Sequence, residues 1–157
     1  MSTTHAIPLD HAGLMPYLVV HDAARAIEFY RSLFGAVEVS RMNRPGSERV
    51  MHAELVIRDA VFMLSDEFPE QGHRSPLAYG GLPPVSIMLY VQDVDALFAK
   101  AQELGAKPIM PPTDMFWGDR FCKFADPFGH LWAVSTHLRD VPPEEMAAAA
   151  ANFCPEP

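Results

Sequence analysis

Little in this chain is set aside for crosslinks, membranes or nucleic acid. Two cysteines, Cys122 and Cys154, occur in 157 residues, too few for a disulfide framework, so a reducing compartment is expected. No apolar run approaches the roughly 20 residues of a bilayer span, and no helical membrane segment is expected. The opening Met1-Ser2-Thr3-Thr4-His5 lacks the basic-then-apolar order of an export signal, which points to the cytoplasm. Basic residues are scarce: 12 Lys and Arg stand against 20 Asp and Glu, a formal net charge of −8. Without a basic face, nucleic acid is not an expected partner. The acidity suits a cationic ligand, but equally an ordinary solvated surface. The histidines, at 5, 11, 21, 52, 73, 130 and 137, show no metal-type spacing such as His-x3-His.

What the chain does contain is one pattern written twice. Leu18-Val19-Val20-His21-Asp22 leads through a helical run to Phe34 and Gly35-Ala36, and Leu89-Tyr90-Val91-Gln92-Asp93 leads to Leu104 and Gly105-Ala106. The offset is 71 residues at the aspartates and 70 at the glycines. Each Asp suits an N-cap and each Gly a C′ position. Between them Ala23, Ala26, Ile27, Tyr30, Leu33 and Phe34, and Val94, Leu97, Phe98, Ala101 and Leu104, fall on one helical face each. Short β-rich stretches precede the helices, at 14–20 and 85–91. Strands at 37–42, 49–57 and 61–65 follow the first helix; 107–110, a loop through Pro111-Pro112, 120–125 and 130–136 follow the second.

The fold expected is therefore α+β, built from tandem β-α-β-β-β repeats with their sheets in one cupped arrangement. The 157 residues read as a single domain: repeat one at 12–66, a Pro- and Gly-rich linker at 67–84, repeat two at 85–140 and a helical tail at 141–157. Apolar residues at 49% suffice for a core, and a sheet with one helix cannot bury both its faces alone.

The motifs Val20-His21-Asp22 with Phe29-Tyr30 and Leu33-Phe34-Gly35, and Asp126-Pro127-Phe128-Gly129-His130 before a last strand, resemble the vicinal oxygen chelate superfamily of glyoxalase I, extradiol dioxygenases and bleomycin-resistance proteins. Phe116-Trp117-Gly118-Asp119-Arg120 resembles its PhnB-like subgroup. The resemblance implies the glyoxalase/bleomycin-resistance fold, a homodimer, and in the enzymes a divalent metal held by one inward residue from each of four strands. Here those positions read Met15, Met63, Ser86 and Ala133. None suits a hard or borderline divalent ion, so no metal and no cofactor are expected. Fold alone leaves the chemistry open.

Strand alternation from those four positions brings Tyr17, Val19, Val61, Ser65, Met88, Tyr90, Leu131, Ser135 and His137 to the same faces. Leu18, Val20, Ile87, Leu89, Val91, Trp132 and Val134 then face the helices. The methionines either line a cavity for an organic ligand or fill a closed core. The hydroxyls favour the cavity, because each unpaired buried polar group costs about 1–3 kcal/mol. His52 and Glu54, two apart on one strand, are the candidate catalytic pair, or else a solvent-facing pair. Trp117 and Arg120 could stack on and fork a ligand, or Arg120 could pair with Asp119 internally. Nothing marks Cys122 as reactive, and His130 reads as a brace for its turn. Three functions compete. One is a binder of a small organic molecule in a metal-free pocket. Another is an enzyme (lyase, isomerase or dioxygenase) using an acid–base pair or a displaced metal on His52, Glu54 and His137. The last is a subunit with a collapsed cavity that acts through its surface.

Overall fold

The computed structural model describes residues 6–11 and 13–153. Residues 1–5, 12 and 154–157 lie outside them, and with them the expectations placed on His5, on Cys154 and on the end of the tail. The chain divides into two compact units, Met1–Gly81 and Leu82–Pro157. Among the described residues, no helix is long and apolar enough to cross a membrane.

The first unit runs β1 (Tyr17–Val20), α1 (Ala23–Phe34), β2 (Val37–Asn43), β3 (Val50–Ile57) and β4 (Ala60–Asp66). Its four strands lie in the order β1-β4-β3-β2, with β1 parallel to β4. The second runs β5 (Ser86–Tyr90), α2 (Val94–Glu103), β6 (Lys107–Asp114), β7 (Asp119–Ala125) and β8 (Leu131–His137), in the order β5-β8-β7-β6. A third helix, α3 (Pro143–Phe153), closes the described chain. Two four-stranded mixed sheets, each with a helix, make this the α+β glyoxalase/bleomycin-resistance fold.

The helices begin and end where their sequence signals lie. Asp22 Oδ1 accepts from Arg25 N at 3.1 Å and Asp93 Oδ1 from Ala96 N at 2.9 Å, so each carboxylate satisfies a donor left over at a helix start. A second acceptor comes from the last strand of each unit. Asp66 Oδ1 takes the Ala23 N–H at 2.8 Å, and Thr136 Oγ1 takes the Val94 N–H at 3.0 Å. Most of each amphipathic stripe is buried: Ala23, Ala26, Ile27, Tyr30 and Leu33 in α1, and Val94, Phe98 and Ala101 in α2; Phe34 and Leu97 are half-buried, and Leu104, at the end of its helix, is exposed. Tyr30 meets Phe62 edge-on at 5.4 Å, and Phe98 meets Phe124 at 6.5 Å. Leu18, Val20, Ala53, Leu55, Leu64, Cys122, Trp132 and Val134 complete the two helix-facing cores.

Most strand bounds fall within a residue of expectation, and three strands call for comment. β1 starts at Tyr17, so Met15 precedes the strand instead of sitting within it. β5 is also shorter, at Ser86–Tyr90. Conversely, Pro111 and Pro112 do not form a loop: β6 runs straight through them. Proline is tolerated there because β6 is an edge strand and its register with β7 shifts between Met110 and Thr113. Before β7 the chain makes a tight turn at Gly118 (φ +96°), where a Cβ would run into the Arg139 carbonyl. Leu138 N and Arg139 N both donate to the Gly118 carbonyl, at 2.9 and 3.1 Å, which ties the chain after β8 to this turn.

Candidate functional site

In each unit the sheet face turned away from its helix collects the chemistry-bearing side chains. On the first unit, Met63 of β4 lies between Tyr17 of β1 and Glu54 of β3 by register. The next inward row holds Val19 and Ser65, with His52 two residues before Glu54. Tyr17 is 48% exposed, whereas Ser65 is buried.

Three of these groups are joined. The Tyr17 hydroxyl lies 3.1 Å from His52 Nδ1, and His52 Nε2 lies 3.2 Å from Glu54 Oε1. A carboxylate only accepts, so Nε2 carries the proton and Nδ1 accepts from the phenol. His11 Nε2 stands 3.4 Å from the same Glu54 oxygen. Its imidazole is shifted above the usual histidine range, chiefly by the hydrogen bond with Asp10. His52 and Glu54 are therefore half-buried partners in a chain that starts at an exposed phenol, not a pair standing free in solvent.

On the second unit the corresponding row reads Met88, Ala133 and Lys123, and the next reads Tyr90, Ser135 and Phe121. Here the centre is Asp119, buried at the start of β7. Its carboxylate accepts from Tyr90 Oη at 2.7 Å, from Trp117 Nε1 at 3.2 Å and from the His137 ring at 2.9 Å. Burial pushes Asp119 up, but the hydrogen bonds from His137, Tyr90 and Trp117 outweigh it and hold the carboxyl below the usual range. The hydrogen bond to Asp119 raises the Tyr90 phenol, and Asp119 followed by Asp140 raises His137. Trp117 also meets Phe121 edge-on at 6.1 Å, so aromatic surface and a buried anion share one face.

Arg120 is a correction. It was expected beside Trp117, facing a ligand or Asp119. Since β7 begins at Asp119, the next residue points to the opposite face, and Arg120 forks onto Asp95 of α2 at 2.6 and 2.7 Å and onto Asp114 at 2.8 Å. Its guanidinium is committed to the helix side.

Ser86 and Met88 lie exposed on β5, and Ala133 is buried on β8. Ser65 and Ser135 occupy equivalent register positions, and both are buried with no hydrogen-bond partner for Oγ. Cys122 sits in the core under α2, and burial pushes its thiol up to about 11, which leaves it inert at neutral pH.

Two thioethers, one hydroxyl and one methyl at Met15, Met63, Ser86 and Ala133 do not fit a divalent ion that seeks carboxylate or imidazole. The displaced alternative fares no better. His52 and Glu54 bond to each other, His137 bonds to Asp119 and Asp140, and among the described residues no group of three His, Cys, Asp or Glu side chains is placed to hold a metal. Sequence reasoning missed the convergence on Asp119, the part played by His11, and Phe121 and Lys123, which alternation back from Ala125 along β7 would have found.

Fold and faces together define a tandem β-α-β-β-β protein of the vicinal oxygen chelate type. A sequence model of the Glyoxalase/Bleomycin resistance protein/Dioxygenase superfamily matches residues 9–134, and the chain belongs to that superfamily. An uncharacterised protein of Mycobacterium bovis is 43% identical over 143 residues, 89% of this chain and 93% of that protein. Among solved structures, protein PA1353 from Pseudomonas aeruginosa is 26% identical with a TM-score of 0.64, covering 80% of this chain and 98% of that one. The PhnB protein from Bacillus cereus shares the fold at 22% identity, with a TM-score of 0.62 over 78% of this chain and 98% of that one.

Proposed function

We propose that this protein binds a small organic molecule, without a resident metal, on the sheet face that a unit turns away from its own helix. The observation that carries this reading is the pair of buried, unpartnered hydroxyls at Ser65 and Ser135. A hydroxyl buried without a partner costs about 1–3 kcal/mol. In each unit the cost is relieved if a polar group of a ligand on that unit's own face completes the hydroxyl. Around them stand groups suited to a flat or flexible organic body: Tyr17, Val19 and Met63 on one unit, and Met88, Tyr90, Trp117 and Phe121 on the other. The buried Asp119 anion and the acidic chain favour a neutral or cationic ligand.

Thermal-shift screening with aromatic and cationic compounds tests the reading, because a ligand at 100 times its dissociation constant adds about 2.7 kcal/mol. A true ligand of the second unit also quenches Trp117, and Ser135→Ala weakens it. No shift across a broad library sinks the proposal in favour of a role in surface interaction. In the same reading the protein is a cytoplasmic homodimer, since the sheet edges at β1, β2, β5 and β6 offer unpaired backbone. Sedimentation as a monomer at micromolar concentration refutes the dimer. A second reading, catalysis on the first unit's face, is favoured by one specific feature, the chain from Tyr17 through His52 to Glu54.

A further inference from the structure

We propose that Tyr17, His52 and Glu54 form an activated-phenol site, at which Tyr17 attacks the carbonyl carbon of a small activated acyl ester or thioester. This goes beyond reversible binding, and its chemistry stands or falls separately from that reading.

The order of groups is the argument. An exposed hydroxyl donates to one imidazole nitrogen at 3.1 Å, and the other nitrogen is held by a carboxylate at 3.2 Å. That is the sequence of roles that turns a weak hydroxyl into a nucleophile: attacking group, base, and a third group that fixes the base. Glu54 as a pure acceptor leaves the Nδ1 lone pair facing the phenol. The Tyr17 and His52 rings sit tilted at 41° with centroids 5.7 Å apart, so the phenol edge meets the imidazole while its outer side stays open.

The rest of the molecule supplies internal controls. At the corresponding register positions the second unit has Met88 in place of Tyr17, Phe121 in place of His52 and Lys123 in place of Glu54. Its own exposed phenol, Tyr90, donates straight to the Asp119 carboxylate with no imidazole between them. Tyr79 is the more exposed phenol at 73%, and Tyr30 is buried. Exposure alone therefore ranks Tyr79 first, whereas the array ranks Tyr17 first.

The step balances without a further reagent. Tyr17 Oη bonds to the acyl carbon as its proton passes to His52 Nδ1, and Glu54 holds the imidazolium formed. Collapse breaks the bond to the leaving group, which departs with the proton from His52. Water, with His52 again as base, then hydrolyses the acyl-tyrosine and restores the phenol. Tyr17 and His52 are the catalytic residues, and Glu54 is a positioning residue.

The test treats full-length protein with p-nitrophenyl acetate near neutral pH, follows nitrophenol release, and maps the acetylated peptides by mass. The expected result is a burst approaching one equivalent with the acetyl group on Tyr17, formed about 100-fold or more faster than on Tyr79. Tyr17→Phe abolishes the burst, and His52→Gln slows it by about 100-fold. Glu54→Gln slows it and shifts the His52 nitrogen resonances away from the Nε2–H tautomer, a change that loss of packing alone does not produce. Equal labelling of Tyr17 and Tyr79, a burst that survives Tyr17→Phe, or an Nδ1–H tautomer in the unmodified protein overturns the proposal. If His52→Gln fails to fold, the Tyr17→Phe burst and the tautomer still decide.

Discussion

Ser135→Ala should make this protein more stable. Ser135 is fully buried on β8, and its Oγ has no partner, so in the free protein it carries a desolvation cost of about 1–3 kcal/mol. Removing one oxygen opens roughly 10 Å³, worth about 0.2 kcal/mol at ~24 cal/mol per Å³. The net expectation is a gain of about 1–2.5 kcal/mol. Both tryptophans, Trp117 and Trp132, lie in the second unit, so urea unfolding followed by tryptophan fluorescence reads the unit that holds the mutation. With a urea slope of ~1–3 kcal/mol/M, the midpoint should rise by about 0.3–2.5 M. Ser86→Ala, exposed on β5, is the control and should stay within about 0.5 kcal/mol. A bound ligand should reverse the sign, because the variant loses the hydroxyl that the ligand completes. If Ser135→Ala destabilises the free protein by 0.5 kcal/mol or more (about the resolution of such comparisons), the hydroxyl is already satisfied and the argument for a ligand fails.

Other perturbations test the supporting structure. Asp126→Ala should cost about 3 kcal/mol or more in urea unfolding, since it strands the N–H groups of Phe128, His130 and Trp132, which Asp126 accepts at 2.9–3.0 Å. His137 is raised by Asp119 and Asp140, so its contribution to stability is full below the unfolded histidine value of ~6.5 and is lost as pH climbs through the folded value. The urea midpoint should fall across that window, and His137→Gln should flatten the profile; an unchanged slope rejects the assignment. Arg120→Ala should shift the urea midpoint little, because its ion pairs with Asp95 and Asp114 lie at the surface, where solvent screens them. It should leave ligand affinity within about twofold; a tenfold loss would put Arg120 back in the binding face.

The repeats were readable because their signals are local. Asp22 and Asp93 cap, Gly35 and Gly105 end their helices with positive φ, and the apolar spacing between them specifies a buried stripe. Strand alternation then put Tyr17, Ser65, Tyr90 and Ser135 on one parity and Leu18, Val20, Leu89 and Val134 on the other, which the strand registers keep. It did not sort Arg120, because the sequence reading left that residue on a loop entering β7; as the second residue of the strand it shares the helix-facing parity of Cys122 and Phe124. Proline content hid the second half of β6, residues 111–114, whose edge position only the sheet order reveals. The convergence of Tyr90, Trp117 and His137 on Asp119 joins positions up to 29 residues apart in separate elements. No local pattern encodes it.

What the two halves share and where they differ points to where function lies. Asp66 and Thr136 hold the same station at the end of the last strand, and each accepts the first N–H of its helix. A carboxylate and a hydroxyl can both accept from that backbone group, so either residue type serves. Such positions answer to the fold, because a helix start buried without an acceptor is costly. The faces away from the helices carry no such demand, since nothing in the β-α-β-β-β scaffold requires a phenol at 17 or an ammonium at 123. There the rows diverge completely: Tyr17, Met63 and Glu54 in one unit, Met88, Ala133 and Lys123 in the other. One face has a hydroxyl–imidazole–carboxylate chain, and the other a buried carboxylate surrounded by aromatic donors. Faces that different call for different chemistry, so each unit's face is to be probed with ligands of its own: polar, proton-exchanging groups for the first and aromatic or cationic ones for the second.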